Sequence, residues 1–359
     1  MEFTSSSMEL SDEPTSSMDT GMASSSSEPL PPPPAPVPMI VDPSSPGASR
    51  PAAARSKQEH VFVFDTDLKA TLEARAMRMP AWEKGQLARV ARENYRLVQQ
   101  GYYVDGNSGT PHSIELPSDA VNSAHRPPPP RGRPLGYKHA LTRITVARMD
   151  TASCARAMHG LSEPAACLNF ANAFSPGGGY LRGARAQEED LCRLMPPLYS
   201  SLLLHKYPFK EHEAFFTRTW LCRTAGNYHL VGPPVPVDVI TAAMPNLNTQ
   251  HGGPAAKLKA HGSKWTSTVR LRIRAVLHAA REERCSAIIL GAFGCGAFAN
   301  PPDAVAKLFA ECLSSDEFRG AFATVVFAIL EPKTTDSGNI DAFANAMLNI
   351  CAEAPTAAQ

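Results

Sequence analysis

From Leu141 onward the chain alternates short apolar runs with longer helix-patterned stretches, and this alternation limits its possible folds more than any other feature. The runs are Arg143–Ala147, Ala166–Ala171, Val237–Ala242, Ala287–Gly291 and Thr324–Leu330. Between them lie Thr151–His159, Gln187–His205, Trp265–Glu283 and Asp303–Leu313. Strands that are apolar throughout and joined by helices belong to a mostly parallel sheet covered on both faces. The pattern therefore predicts an α/β fold, with a last amphipathic helix, Ile340–Cys351, docked back on the body. Upstream, Asp67–Gln100 is rich in Ala, Leu, Arg and Glu. It predicts helices on either side of Pro80, the second ending at Gly101, as a helical layer preceding the main domain.

The remainder of the 359 residues divides by composition. Of 33 prolines, 11 precede Ala52, and 14 serines precede Gln58. Residues 1–57 therefore read as a disordered tail, which buries too little apolar surface to offset its ordering entropy. Its Pro31–Pro34 run is either a passive part of that tail or a polyproline ligand for a partner. A polar break at Arg126–Pro134 separates a helical N-terminal extension, 58–135, from the main domain, 136–352. The net charge of +1 hides an asymmetry, because seven acids and no Lys or Arg precede Arg50. The rest stands near +8, which suits an anionic ligand but is also ordinary scatter.

Eight cysteines show no CxxC pair and no zinc-ligand spacing, and read as reduced thiols of an intracellular protein. The acidic, Ser-rich N-terminus has no apolar core of a signal peptide, and the longest apolar stretch, Ala287–Ala299, is too short to span a bilayer. Cytoplasm and nucleus are equally open.

Two glycine loops follow predicted strands. Leu168–Phe170 leads through Ala171-Asn172 into Gly177-Gly178-Gly179, and Ile288–Leu290 leads into Gly291-Ala292-Phe293-Gly294-Cys295-Gly296-Ala297-Phe298-Ala299-Asn300. Ligands of open α/β sheets bind beyond the carboxyl ends of the strands, and glycine lets backbone N–H groups approach them closely. A flexible turn remains the simpler reading of either loop alone. The second precedes Pro301-Pro302-Asp303, a helix start suited to a diphosphate. Neither loop has Walker A or GxGxxG spacing. After the triple glycine and seven intervening residues, Gln187-Glu188-Glu189-Asp190 opens a helix. Acids in a first turn can simply answer the helix dipole. The short tether to the glycines favours a functional reading instead. Adjacent helical residues diverge by about 100°, so Glu188 and Glu189 cannot oppose one another across a bond as paired glycosidase carboxylates do. One carboxylate beside two small-residue loops points to a nucleotide-sugar substrate. Cys295 has no basic neighbour in sequence to activate it and reads as a small loop residue rather than a nucleophile.

The combination resembles the microbial-type poly(ADP-ribose) glycohydrolase family over roughly residues 75–330. The signature is Gly177-Gly178-Gly179, seven residues, then Gln187-Glu188-Glu189, flanked by Asn169-Phe170-Ala171-Asn172 and Leu191-Cys192, with Leu290–Asn300 as the second element. The resemblance implies a macrodomain-like, mostly parallel mixed sheet sandwiched by helices. It implies that Glu189 is the catalytic acid/base and that Glu188 holds ribose hydroxyls. Asn172 and Gln187 would join the substrate-binding set, Asn172 at the terminal ribose. Gly177, Gly178, Gly179, Gly294, Cys295, Gly296, Ala297 and Phe298 would wrap ribose and diphosphate, and Asp150 would lie near adenine. Metal and cofactor are not called for. The expected reaction is hydrolysis of the ribose–ribose bond of poly(ADP-ribose) to release ADP-ribose, with the polymer or ADP-ribosylated proteins as partners and no direct contact with DNA. A non-catalytic ADP-ribose reader and a mono-ADP-ribosyl hydrolase are the rivals, and cleavage from chain ends or within chains is open. The sequence departs from the family at Arg218–Pro236, where a longer strand-containing segment is expected, and at Met195-Pro196-Pro197.

Overall fold

The structure, a computed structural model, describes residues 60–77, 81–116, 123–127, 138–210, 212–248, 258–331 and 338–352. The tail reading for 1–57 and most of the proline-rich break lie outside these. The described residues all fall in one compact unit.

In chain order the elements are β1 (Val61–Phe64), α1 (Thr66–Glu73), α2 (Lys84–Gln100), β2 (Tyr102–Val104), β3 (Pro111–Ser113), β4 (Ser123–His125), β5 (Leu141–Ala147) and α3 (Thr151–Gly160). There follow β6 (Ala165–Phe170), α4 (Gln187–Leu194), α5 (Pro196–Leu202), β7 (Ala214–Arg223), β8 (Leu230–Ala242), α6 (Ser263–Glu282), β9 (Ala287–Leu290), α7 (Pro302–Ser314), β10 (Thr324–Ala328) and α8 (Asn339–Ala352). Eight strands form the main sheet in the order β1-β5-β10-β9-β6-β8-β7-β4. Pairing is parallel from β1 through to β8 and antiparallel at β8–β7 and β7–β4. The fold is the mixed, mostly parallel α/β sandwich expected from the alternation of strands and helices.

Period-2 alternation sends side chains to both faces. Leu168, Ile288, Leu290 and Phe327 pack with residues of α6, α7 and α8. Cys167, Val239, Ile289 and Val326 pack with residues of α1 to α5. Helices α1 and α2 thus form a layer on the second face, and α2 ends at Gly101, whose φ of 80° closes the helix in the left-handed region.

Three differences from the sequence reading have physical causes. The segment read as helical also supplies strands, with β1 pairing β5 and β4 pairing β7 at the two edges of the sheet. Four- and three-residue runs carry too little periodicity to be seen in a sequence. The stretch Gln187–His205 divides into α4 and α5 because Met195, which precedes Pro196, leaves the helical region at φ −117°, ψ 82°. The segment around Arg218–Pro236, which looked atypical, is a long antiparallel pair, β7 with β8. Pro233, Pro234 and Pro236 sit in the first half of β8, which pairs with β7 only, since β6 joins from Val239 onward. Pro234 and Pro236, two residues apart, share one side of the strand, and a strand with a neighbour on one side only leaves its other side free for residues that lack an N–H.

Candidate active site

Strands β6 and β9 are neighbours, so the loops that follow them emerge side by side at the carboxyl edge of the sheet. The β6 loop returns into α4, and Gln187 fixes the return. Its Oε1 accepts from Phe170 N at 2.8 Å, while Nε2 donates to Leu168 O at 2.7 Å and to Thr151 Oγ1 at 3.1 Å. All of its amide hydrogens are therefore used within the fold.

Glu188 and Glu189 are only 2% and 7% exposed. Glu188 accepts from Asn172 N through Oε2 at 2.7 Å and from Gly177 N through Oε1 at 3.1 Å. These bonds favour the carboxylate, yet burial outweighs them and, with the Glu189 charge adding to it, pushes Glu188 up to about 8. Glu189 Oε1 accepts from Gly179 N at 2.8 Å, whereas its Oε2 is buried without a hydrogen-bond partner among the described residues. Gly178 packs between the two carboxyls. Its φ is +53°, and a Cβ there would stand 2.7 Å from Glu189 Oε1 and 3.1 Å from Glu188 Oε2. The triple glycine therefore acts differently from the expectation that its amides cradle a ligand. The N–H groups of Gly177 and Gly179 grip the two glutamates, and that of Gly178 donates to Ser175 O at 3.1 Å. Asn172 Oδ1 is taken up by Phe174 N and Ser175 N, which leaves its Nδ2 as the side chain's remaining donor.

The β9 loop is the opposite case. Asn300 ties it down, with Nδ2 donating to Pro245 O and Gly294 O and Oδ1 accepting from Trp265 Nε1 at 2.9 Å. The loop carbonyls of Ala297 and Phe298 accept from Asn248 Nδ2 and Leu247 N. By contrast, the N–H groups of Gly294, Gly296, Ala297 and Phe298 donate to no acceptor among the described residues. Four free amides beside the start of α7 suit an anion. Burial pushes the Cys295 thiol up to about 12, away from the thiolate that a nucleophile needs.

A cleft of about 600 Å³ runs along the carboxyl edge, lined by Asp150, Gln187, Gly294, Gly296, Ala297 and Phe298 among others. Asp150 caps α3, with Oδ1 accepting from Ser153 N at 2.8 Å, while Oδ2 is buried without a partner and burial raises the carboxyl. The sequence model described as "Microbial-type PARG, catalytic domain" matches residues 91–229. Among solved structures, poly(ADP-ribose) glycohydrolase from Thermomonospora curvata is 29% identical with a TM-score of 0.59, covering 73% of this chain and 99% of that one. A point mutant of the same enzyme, at equal coverage, is 30% identical with a TM-score of 0.60. The chain belongs to the microbial-type poly(ADP-ribose) glycohydrolase family. A further member from Deinococcus radiodurans, solved in complex with ADP-ribose, is 32% identical with a TM-score of 0.51, covering 60% of this chain and 86% of that chain. No curated protein sequence matches.

Set against the family signature, the fold divides the expected residues into two groups. Asp150, Gln187, Gly294, Gly296, Ala297 and Phe298 line the cleft, whereas Asn172, the triple glycine, Glu188, Glu189 and Cys295 are not among its lining residues. The glutamates sit behind the glycines, with only the Glu189 edge unsatisfied. Trp82, Asp190, Arg193 and Tyr228 also line the cleft and were not singled out from the sequence. Tyr228 OH donates to Asp190, Arg193 lies over the Tyr228 ring at 5.6 Å, and Trp82 meets that ring edge-on at 5.3 Å. These four come from a loop, a helix and a turn far apart in sequence, and only Asp190, beside the signature glutamates, offered a local signal. Among the described residues no cluster of His, Cys, Asp and Glu has the makings of a metal site, and no helix is long and apolar enough to cross a membrane.

Proposed function

We propose that this chain hydrolyses the ribose–ribose O-glycosidic bonds of poly(ADP-ribose) and that a single carboxyl, Glu189, serves as both acid and base. The observation that carries the reading is the Glu189 carboxyl itself. One oxygen is pinned by the Gly179 amide, and the other is buried with its hydrogen-bonding capacity unspent. An unspent buried oxygen costs about 1–3 kcal/mol unless a ligand supplies a partner.

The bond is an acetal at ribose C1. Glu189 donates its proton to the departing 2′-oxygen as the C1–O bond breaks, and the positive charge on C1 is shared with the ring oxygen. A water then attacks C1 and returns its proton to Glu189, restoring the acid. General acid/base catalysis of this kind contributes roughly 10²- to 10⁴-fold. Glu188 positions the loop: by holding Asn172 N and Gly177 N it sets the path of the segment that carries Gly179. Asn172 Nδ2 is the donor for the terminal ribose, and the free amides of Gly294, Gly296, Ala297 and Phe298 receive the diphosphate. Asp150 Oδ2 is the acceptor for a donor such as an adenine amino group.

Labelled polymer incubated with the protein tests the reading, which expects release of ADP-ribose. The Glu189→Gln variant should bind ADP-ribose as the wild type does and lose at least 100-fold in turnover. Full activity in that variant removes Glu189 from the mechanism. Polymer of unchanged length with the wild-type protein makes the chain a reader, and release from mono-modified protein alone makes it a mono-ADP-ribosyl hydrolase.

A further inference from the structure

A second cavity, about 350 Å³, opens between α3 and the turn after β7, lined by Arg75, Ala152, Ser153, Arg156, Arg223 and Thr224 among others. It contains three guanidinium groups and no carboxylate among its lining residues. Arg223 is already balanced, since Glu93 pairs with it at 3.1 Å. Arg75 and Arg156 form no ion pair among the described residues. Arg75 reaches Ala157 O at 3.3 Å, and Arg156 reaches Leu221 O at 3.4 Å and Arg223 O at 3.3 Å. These are long contacts to neutral carbonyls, which hold the side chains in place and leave their charges uncompensated. The Ser153 hydroxyl, on a residue 8% exposed, is buried with no hydrogen-bond partner. Ala152 lines both this cavity and the main cleft, so the first turn of α3 is a wall common to the two.

We propose that this cavity is a phosphate-binding subsite, in which Arg75 and Arg156 neutralise the anion and the Ser153 hydroxyl donates to it. Guanidinium forks match phosphate oxygens two at a time, and a pair without counter-ions is arranged for a multiply charged partner. Two sources offer that chemistry: the diphosphate of a neighbouring unit in a chain whose bound unit fills the cleft, or a separate small phosphate compound. The first rests on the proposed function. The common wall at Ala152 fits it, because Arg156 lies four residues, roughly 6 Å, further along α3.

Calorimetric titration of the Glu189→Gln protein, its cleft filled with saturating ADP-ribose, tests the subsite with inorganic diphosphate. Adding Arg75→Glu or Arg156→Gln should weaken diphosphate binding at least tenfold, and Arg156→Lys, which keeps the charge but not the fork, should weaken it less than Arg156→Gln. Binding of ADP-ribose itself should stay within twofold. Arg75 is exposed, so its charge reversal leaves packing intact and serves as the control against misfolding at Arg156. A two-unit ADP-ribose oligomer, titrated without added ADP-ribose, separates the sources. If it weakens tenfold in step with diphosphate, the subsite holds the neighbouring unit, and if it is unaffected, the site serves a separate phosphate compound. Diphosphate binding indifferent to both arginines, or ADP-ribose losing as much affinity, overturns the proposal. Failure of the wild-type protein to release ADP-ribose from polymer would sink the functional reading and leave the diphosphate result standing.

Discussion

Glu188 and Glu189 are neighbours in the chain with unlike roles, and the difference comes from which backbone amides each meets. Glu188 spends both oxygens on the loop and is held near 8, while Glu189 spends one and keeps one. Gly178 makes both arrangements possible. In Gly178→Ala the methyl group would press on the two carboxyls at a φ that L side chains rarely adopt. The variant should lose about 1–3 kcal/mol of stability and at least tenfold in turnover, read by urea unfolding and by ADP-ribose release. A variant with wild-type values in both would show that the loop has room to move. The spacing of the glycines and glutamates was visible in the sequence. Which amides answer which oxygens was not, because that is decided by the left-handed turns at Gly177 and Gly178 and by how α4 is set against β6.

Among the elements, α4 depends on α2. Asn94 of α2 is buried and donates through Nδ2 to Cys192 O at 3.1 Å and Arg193 O at 2.8 Å, the carbonyls at the end of α4, while its Oδ1 accepts from Arg223 Nε at 2.9 Å. Lys84, at the start of the same helix, crosses the loop so closely that a Cβ on Gly183 would lie 2.1 Å from its carbonyl oxygen. Asn94→Ala should therefore cost about 2–3 kcal/mol, since it strands several buried polar atoms at once. It should also lower turnover more than it weakens ADP-ribose binding, because α4 carries Glu189 and the β9 loop does not touch Asn94. Steady-state kinetics with calorimetry checks this, and a fall confined to binding would contradict it. Strands such as β6 and β9 were legible as unbroken apolar runs. Of β8 only the second half, Val237–Ala242, was legible, and β7 was not; three prolines argue against a strand in the first half of β8 until its neighbour on one side is known to be missing. The latch at Asn94 leaves no local trace, because its partners lie about a hundred residues away.

At the scale of the whole molecule, the buried titratable groups oppose one another with pH. Burial lowers His60 to about 4 and also lowers His139, His205 and His278. The unfolded chain binds protons at these sites more tightly, so they add stability as pH rises toward 6.5. Burial raises Glu188 to about 8 and also raises Asp150, Asp190 and Asp238. There the folded state holds the extra proton, and stability falls as pH rises toward each folded value. Above pH 6.5 the histidines still gain up to about 0.4 kcal/mol each, because half of the unfolded imidazoles are charged at their own pKa, while Glu188 releases its proton. Between pH 6.5 and 8 the wild-type protein should therefore lose about 1–2 kcal/mol more stability than Glu188→Gln, in which the histidine gain is the same. Urea unfolding of both proteins at pH 6.5 and 8 measures it, and a difference between them that does not change with pH assigns the slope elsewhere. The two glycine loops also divide the chemistry a competing small molecule must carry. Where the β6 turn closes on its own acids, an inhibitor meets the one unspent Glu189 oxygen, which accepts a hydrogen when ionised and donates one when protonated. At the β9 turn, with its idle amides, the same inhibitor has to offer lone pairs. A compound that carries only acceptors would serve those amides and would bond to Glu189 only while that carboxyl keeps its proton.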